Sequence, residues 1–327
     1  MALSNLSRRS FVGAAAAAAL GAGLVGCSSG SGSAASKSAS ASSASASASA
    51  SSASASASSA AAAAAKPVIL VTSFGTSYND SREVTIGAVE KAIQAACPDY
   101  EVRRAFTAQI IIDKLKERDG LEIDNVEQAL QRCIDDGVKT IIVQPTHLMD
   151  GFEYQDVSAA LDEVASKFDK AVIGKPLIKE DADYEAVIAA LTDWGKAYDD
   201  GNTAICFMGH GTEADSNVIY STLQDKFKAT EGADAYFVAT VEATPTFDDV
   251  ATAAKEAGYT KAVLRPLMVV AGDHANNDMA DTEDPESFAS VMKDAGFEVE
   301  SVIEGLGQLP AIQDLYVKHI KETIATL

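Results

Sequence analysis

From residue 68 to residue 325 the chain repeats one unit, a short and wholly apolar run, a break of small residues, and a stretch with helical spacing. Val68–Thr72 opens the series, Ser73-Phe74-Gly75-Thr76-Ser77 breaks it, and Ser81–Ala96 carries the first helical period. Further strands are predicted over 101–106, 140–144 and 171–173, with helices over 110–117, 125–135, 157–168 and 184–194. A second series places strands at 203–208, 235–240, 261–264 and 297–302, and helices near 216–226, 246–257, 285–294 and 310–325. Short strands without a polar face, alternating with helices, require parallel sheets covered on both sides. The expected fold class is therefore α/β, two similar Rossmann-like domains, each a parallel sheet flanked by helices.

The two series echo each other residue by residue. Phe74-Gly75-Thr76 follows the first strand of one half as His210-Gly211-Thr212 follows that of the other. Gln144-Pro145 with Gly151 parallels Arg265-Pro266 with Gly272. Turn chemistry in Asp199-Asp200-Gly201-Asn202 marks the junction, which gives domains 67–198 and 199–327, the last helix being free to pack back on the first domain.

Residues 1–66 belong to neither half. Ser7-Arg8-Arg9-Ser10-Phe11, an apolar core from Phe11 to Val25 and Leu24-Val25-Gly26-Cys27 read as a twin-arginine signal over 1–27 that ends in a lipobox, with the lipid on Cys27. The core is too short to span a bilayer. The expected location is the outer face of the cell membrane, with contact to the membrane only through that lipid. From Ser28 to Ala65 every residue is Ser or Ala except Gly30, Gly32 and Lys37, a composition that cannot offset its ordering entropy and so predicts a tether over 28–66.

Four bases and no acid lie in residues 1–66, which leaves 22 bases against 47 acids and a charge of −25 in the folded part. A polyanion is repelled by such a surface, so nucleic acid is excluded as a partner. Cys97, Cys133 and Cys206 lack CxxC spacing and offer no structural zinc site, and Cys206 reads as a small buried hydrophobe. No Gly-x-Gly-x-x-Gly and no Walker loop follows any strand, so neither NAD nor ATP is indicated.

Of four histidines, His147, His210 and His274 fall just past predicted strand ends, where open parallel sheets bind ligands. Imidazole is the commonest transition-metal ligand and moves protons near neutral pH. Glu242 follows the second strand of the same half as His210 and His274, and neighbouring strands stand about 4.8 Å apart, so these three side chains can converge on one ion. Glu242 could equally cap the helix near Thr246, and Asp273 or Asp278 could orient the His274 ring. His319, on the last amphipathic helix, reads as a surface or packing residue.

At these positions the chain resembles a known family. Ser73-Phe74-Gly75-Thr76-Ser77-Tyr78, Arg104-Ala105-Phe106-Thr107, Lys114-Leu115 with Arg118-Asp119-Gly120, Phe207-Met208-Gly209-His210-Gly211, Pro266-Leu267-Met268, Ala271-Gly272-Asp273-His274-Ala275 with Asn277-Asp278-Met279, and Gly305-Leu306-Gly307 with Pro310-Ala311-Ile312 together resemble the anaerobic sirohydrochlorin cobaltochelatases of the CbiK type. The resemblance runs in order through 67–327. It implies the chelatase fold, a tetrapyrrole cleft between the halves, and ATP-independent insertion of a divalent metal into sirohydrochlorin for cobalamin biosynthesis. It places the metal-binding and catalytic triad on His210, Glu242 and His274, and puts His147 and Glu153 near the cleft. Co²⁺ is the expected ion, with Fe²⁺, Ni²⁺ and Zn²⁺ compatible with the same donors. Because sirohydrochlorin is rich in carboxylates, Arg104 is expected at the tetrapyrrole, with Arg103, Lys114 and Arg265 as further cations. A second reading, suggested by the export signal, is an extracytoplasmic metal-, haem- or tetrapyrrole-binding lipoprotein for uptake or storage. The pattern leaves room for an oligomer.

Overall fold

The computed structural model of the chain describes residues 65–327. The signal, the Cys27 lipid site and the greater part of the Ser/Ala tether lie outside the described residues.

Strands β1 (Val68–Ser73), β2 (Glu101–Phe106), β3 (Thr140–Pro145) and β4 (Lys170–Ile173) form a parallel sheet in the order β2-β1-β3-β4. All six residues of β1 are buried, as its unbroken apolar run requires of a central strand with helices on both faces. These helices are α1 (Asn79–Val84), α2 (Ile86–Ala96), α3 (Gln109–Asp119), α4 (Val126–Asp135), α5 (Phe152–Val164) and α6 (Asp181–Gly195). The second sheet has the same order, β6-β5-β7-β8, from β5 (Thr203–Gly209), β6 (Tyr236–Thr240), β7 (Lys261–Pro266) and β8 (Glu298–Ser301). Around it lie α7 (Val218–Ala229), α8 (Phe247–Glu256) and α9 (Phe288–Asp294), while α10 (Pro310–Ile324) packs back on α2 and α6 of the first half.

One core crosses the two halves. Ile69 and Val71 of β1, Ile205 and Phe207 of β5 and Ile312, Leu315, Tyr316 and Ile320 of α10 belong to a single buried cluster. Residues 65–327 accordingly belong to one compact unit. The Tyr316 hydroxyl, fully buried on α10, donates to the Thr146 carbonyl at 2.8 Å, which joins the last helix to the loop after β3. Of the two readings of His319, surface or packing, the second holds: it is fully buried on α10, and its Nε2 lies 3.0 Å from the equally buried Asp183 Oδ1 on α6.

The helix predicted over 81–96 is broken at Thr85, whose φ of −110° and ψ of −83° are not helical. The cause lies far along the chain. Gly305 and Gly307 press on Thr85, and a Cβ at Gly305 would meet the Val269 carbonyl at 2.4 Å and Thr85 Cγ2 at 2.9 Å. Helix α5 starts at Phe152, five residues earlier than its periodicity suggests, with Gly151 as its extended N-cap. That shortens the loop after β3 and puts Glu153 in the first helical turn.

Candidate functional site

The carboxyl ends of β6, β5 and β7 lie side by side, because these strands are neighbours in the sheet. Pairing continues past the strand ends: Val241 N–H donates to Gly209 at 3.1 Å and Glu242 N–H donates to the His210 carbonyl at 2.9 Å. His210 and Glu242 are thereby held as neighbours across two loops. The loop after β7 begins with Leu267 N–H donating to Met208 and ends at His274, which opens a π-helical turn over Ala275–Met279. Single π-turns inside or beside helices recur at functional sites.

The two imidazoles meet edge to face, with centroids 4.6 Å apart and planes at 86°. Nδ1 of His210 lies 2.8 Å from the Gly211 carbonyl, and Nδ1 of His274 lies 2.8 Å from Asp278 Oδ2. Both partners only accept, so each Nδ1 carries the proton and each Nε2 is left as a free lone pair. This is the outer-shell arrangement that fixes the tautomer of metal-ligating histidines. Burial pulls the His274 pKa down, but the hydrogen bond and charge of Asp278, with the charges of Glu242 and Asp273, outweigh it and hold the ring above its ordinary value.

Glu242 Oε2 stands 3.8 Å from His210 Nδ1, too far for a hydrogen bond. Capping does not occupy Glu242. Helix α8 is capped by Thr246, whose Oγ1 accepts from Asp249 N–H at 3.2 Å while Asp249 accepts from Thr246 N–H at 2.8 Å. Among the described residues no three His, Cys, Asp or Glu side chains stand close enough together to hold a metal ion. His210 and His274 are brought together, whereas Glu242 lies on the Nδ1 side of His210 and is partly exposed.

The sequence signal for what supports this loop is the pair of glycines around His210. A Cβ at Gly209 would overlap Tyr220 Cε1 at 2.1 Å, and the Tyr220 hydroxyl accepts from Gly211 N–H at 3.3 Å. Tyr220, fully buried under His210, is therefore part of the site, though its sequence context alone did not reveal it.

The carboxyl ends of the two sheets face each other. The site of a Cβ on Gly272 lies 3.1 Å from Thr76 Oγ1, that on Gly151 lies 3.4 Å from Ser216 Oγ, and Ala271 N–H donates to Ser81 Oγ at 3.2 Å. A cavity of about 590 Å³ lies beside this junction, lined by Ser77, Tyr78, Arg118, Ala271, Asn276 and Gln308 among others. From the first half, His147 Nε2 approaches Glu153 Oε2 to 3.1 Å without hydrogen-bond alignment, and both His147 ring nitrogens are buried without a partner.

The structure corrects most of the cation assignments. Arg104 is clamped by Glu90, with contacts of 2.7 and 2.5 Å, so its charge is already neutralised. Arg103 is held by Glu101 and Asp136. Arg265 is fully buried, 4.3 Å over the Trp194 ring, and donates to the Glu304 and Gly305 carbonyls. Burial, against the pull of Glu304, pushes its guanidinium down to about 10. It is a core residue that cannot reach a ligand. Lys114 remains exposed on α3.

The family model for cobalt chelatase (CbiK) matches residues 67–325. A sirohydrochlorin cobaltochelatase of Salmonella typhimurium is 35% identical over 264 residues, covering 79% of this chain and 97% of that protein. The sirohydrochlorin cobaltochelatase CbiKC of Nitratidesulfovibrio vulgaris is 28% identical over 264 residues, covering 80% and 92%. Among solved structures, SirB from Bacillus subtilis with Fe³⁺ superimposes with a TM-score of 0.58 at 16% identity, over 80% of this chain and 97% of that one, a likeness of fold.

Proposed function

Because the chain belongs to the cobalt chelatase (CbiK) family, we propose that it inserts Co²⁺ into sirohydrochlorin and that His210, His274 and Glu242 carry the reaction. The observation that supports this reading is the pair of imidazoles 4.6 Å apart, each with Nδ1 committed to an acceptor and Nε2 free. Two such lone pairs and one carboxylate take the ion from water and hold it on one side of the cleft. The encounter of ion and ring becomes a positioned transfer.

Insertion exchanges one Co²⁺ for two pyrrole N–H protons. As each ring nitrogen binds the ion, a protein ligand gives it up, and the Nε2 lone pair so released can take a proton. His274, whose basicity Asp278 supports, is the better acceptor of the two imidazoles. The Glu242 carboxylate supplies a second acceptor. The family resemblance assigns His147 and Glu153, which lie next to each other in the first half, to the tetrapyrrole side of the cleft. No step requires a nucleotide, so the reaction runs without ATP. Fe²⁺, Ni²⁺ and Zn²⁺ suit the same donors and compete with Co²⁺. In this reading the chemistry is carried on the outer face of the membrane, anchored through Cys27.

The test uses the full-length chain with sirohydrochlorin and Co²⁺ and no nucleotide. The metallated absorption spectrum grows with the wild type and fails to grow with His210→Ala or His274→Ala. Binding of ring and ion without turnover would instead favour a storage or uptake protein, and full activity of both variants would refute the site assignment.

A further inference from the structure

The duplication is regular enough to be read through the hydrogen bonds. In the first half Thr107 N–H donates to Ser73 and Ala108 N–H to Phe74, at 2.9 and 3.2 Å. In the second half Val241 N–H donates to Gly209 and Glu242 N–H to His210, at 3.1 and 2.9 Å. Phe74 is thus the counterpart of His210 and Ala108 that of Glu242. The next residue agrees, since Gly75 and Gly211 both take positive φ, +99° and +87°. Where one half presents an imidazole and a carboxylate, the other presents an aromatic ring and a methyl group.

Phe74 is not there for the core. Every residue of β1 before it is buried, whereas Phe74 is 40% exposed. Ile110 at 75% and Phe152 at 60% stand exposed in the first turns of α3 and α5, the helices that follow β2 and β3 of the same half. All three lie at the carboxyl end of the first sheet, the end that meets the second half where Gly272 approaches Thr76 and Gly151 approaches Ser216. A disc placed there presents one face to each half. The second half offers that face its metal ligands, and the first offers aromatic and aliphatic surface that nothing in the fold covers.

Resting on the reading that the cleft takes a tetrapyrrole, we infer that Phe74 is a positioning residue that bears on the macrocycle face turned away from His210 and His274. Aromatic rings stack favourably on flat π-systems, and their contact excludes water from the face opposite the metal ligands. Ile110 and Phe152 extend the same apolar wall. Covering the exposed part of Phe74, roughly 80 Å² of aromatic surface, corresponds to an affinity change on the order of tenfold.

The test measures sirohydrochlorin binding to the metal-free full-length chain by absorbance titration, and Co²⁺ binding to the ring-free chain separately. Phe74→Ala is expected to weaken ring binding about tenfold and to raise KM for sirohydrochlorin, with Co²⁺ affinity and Tm unchanged. Phe74→Tyr, which keeps the flat ring, restores binding. The inference is overturned if Phe74→Ala binds the ring as the wild type does, or if ring and ion affinities fall together. If that variant is normal while the wild type metallates sirohydrochlorin, only the role of Phe74 falls. If the wild type itself neither binds nor metallates the ring, the proposed function falls with it.

Discussion

Replacing Asp278 by Asn leaves the volume of the π-turn unchanged and removes the charge that holds His274 Nδ1 at 2.8 Å. A hydrogen bond to a charged group contributes about 1.5–3 kcal/mol, and second-shell partners of metal-ligating histidines typically alter metal affinity 10–100-fold. Asp278 is 34% exposed and His274 30%, so solvent screening favours the lower half of that range, about 10–30-fold for Co²⁺. The pH dependence separates this cause from a general loosening. A proton competes with the ion for His274 Nε2, and Asp278 is the largest influence raising the ring's pKa. In the wild type Co²⁺ binding is full above that raised pKa and lost as pH falls through it. In Asp278→Asn burial dominates, the ring gives up its proton more readily, and the loss begins at lower pH. Isothermal titration with Co²⁺ from pH 8 to pH 5.5 should therefore show a large deficit at pH 8 that narrows on acidification. An equal deficit at every pH, or wild-type affinity at pH 8, would refute the coupling of Asp278 to the ion through His274.

Asp183→Ala strips the acceptor from buried His319 and from Lys179 and Glu180 N–H at the start of α6, and should cost about 2–4 kcal/mol in urea unfolding. Burial raises the Asp183 pKa, but the His319 hydrogen bond and those backbone donors hold it below its usual value. The stabilisation is therefore present above about pH 4 and disappears as acid titrates the folded carboxyl, so the variant should lose less stability below pH 4 than the wild type. Gly305→Ala drives a methyl into the Val269 carbonyl and Ala271 N–H, and should lower Tm and Co²⁺ affinity together, because the displaced backbone carries the His274 loop. Cys27→Ala should move the protein from the membrane to the soluble fraction on cell fractionation, with chelatase activity per molecule unaltered.

Much of this architecture was readable from local pattern. The runs Val68–Thr72 and Thr203–Met208 have no polar face, and a strand of that kind has only the middle of a parallel sheet to occupy. His210 and Glu242 stood out because each lies two residues past a predicted strand, and the structure brings His274, ten residues past the next, against His210. The failures share a cause, an interaction with a partner distant in sequence. Nothing around Thr85 announces that Gly305 and Gly307 will interrupt its helix. Arg265 looks like an available cation until Trp194 and the Glu304 carbonyl enclose it. Likewise Arg104 reads as a ligand for acidic groups until α2 supplies Glu90. The burial of His319 depends on Asp183, 136 positions earlier. Periodicity reports which face of an element is apolar, and it carries no information about which charged groups will find each other.

The crossing of α10 back onto α2 and α6 sets the order in which the molecule can be made. During synthesis the first sheet emerges early, yet the apolar surface of α2 stays bare until Ile312, Leu315, Tyr316 and Ile320 have left the ribosome. The amino-terminal half therefore cannot mature ahead of the rest, and folding waits on the translation of its final cover. A nascent chain in that interval offers a greasy face to chaperones. Release before residue 312 leaves the face open, so truncation ahead of α10 should yield aggregate in place of a shortened enzyme.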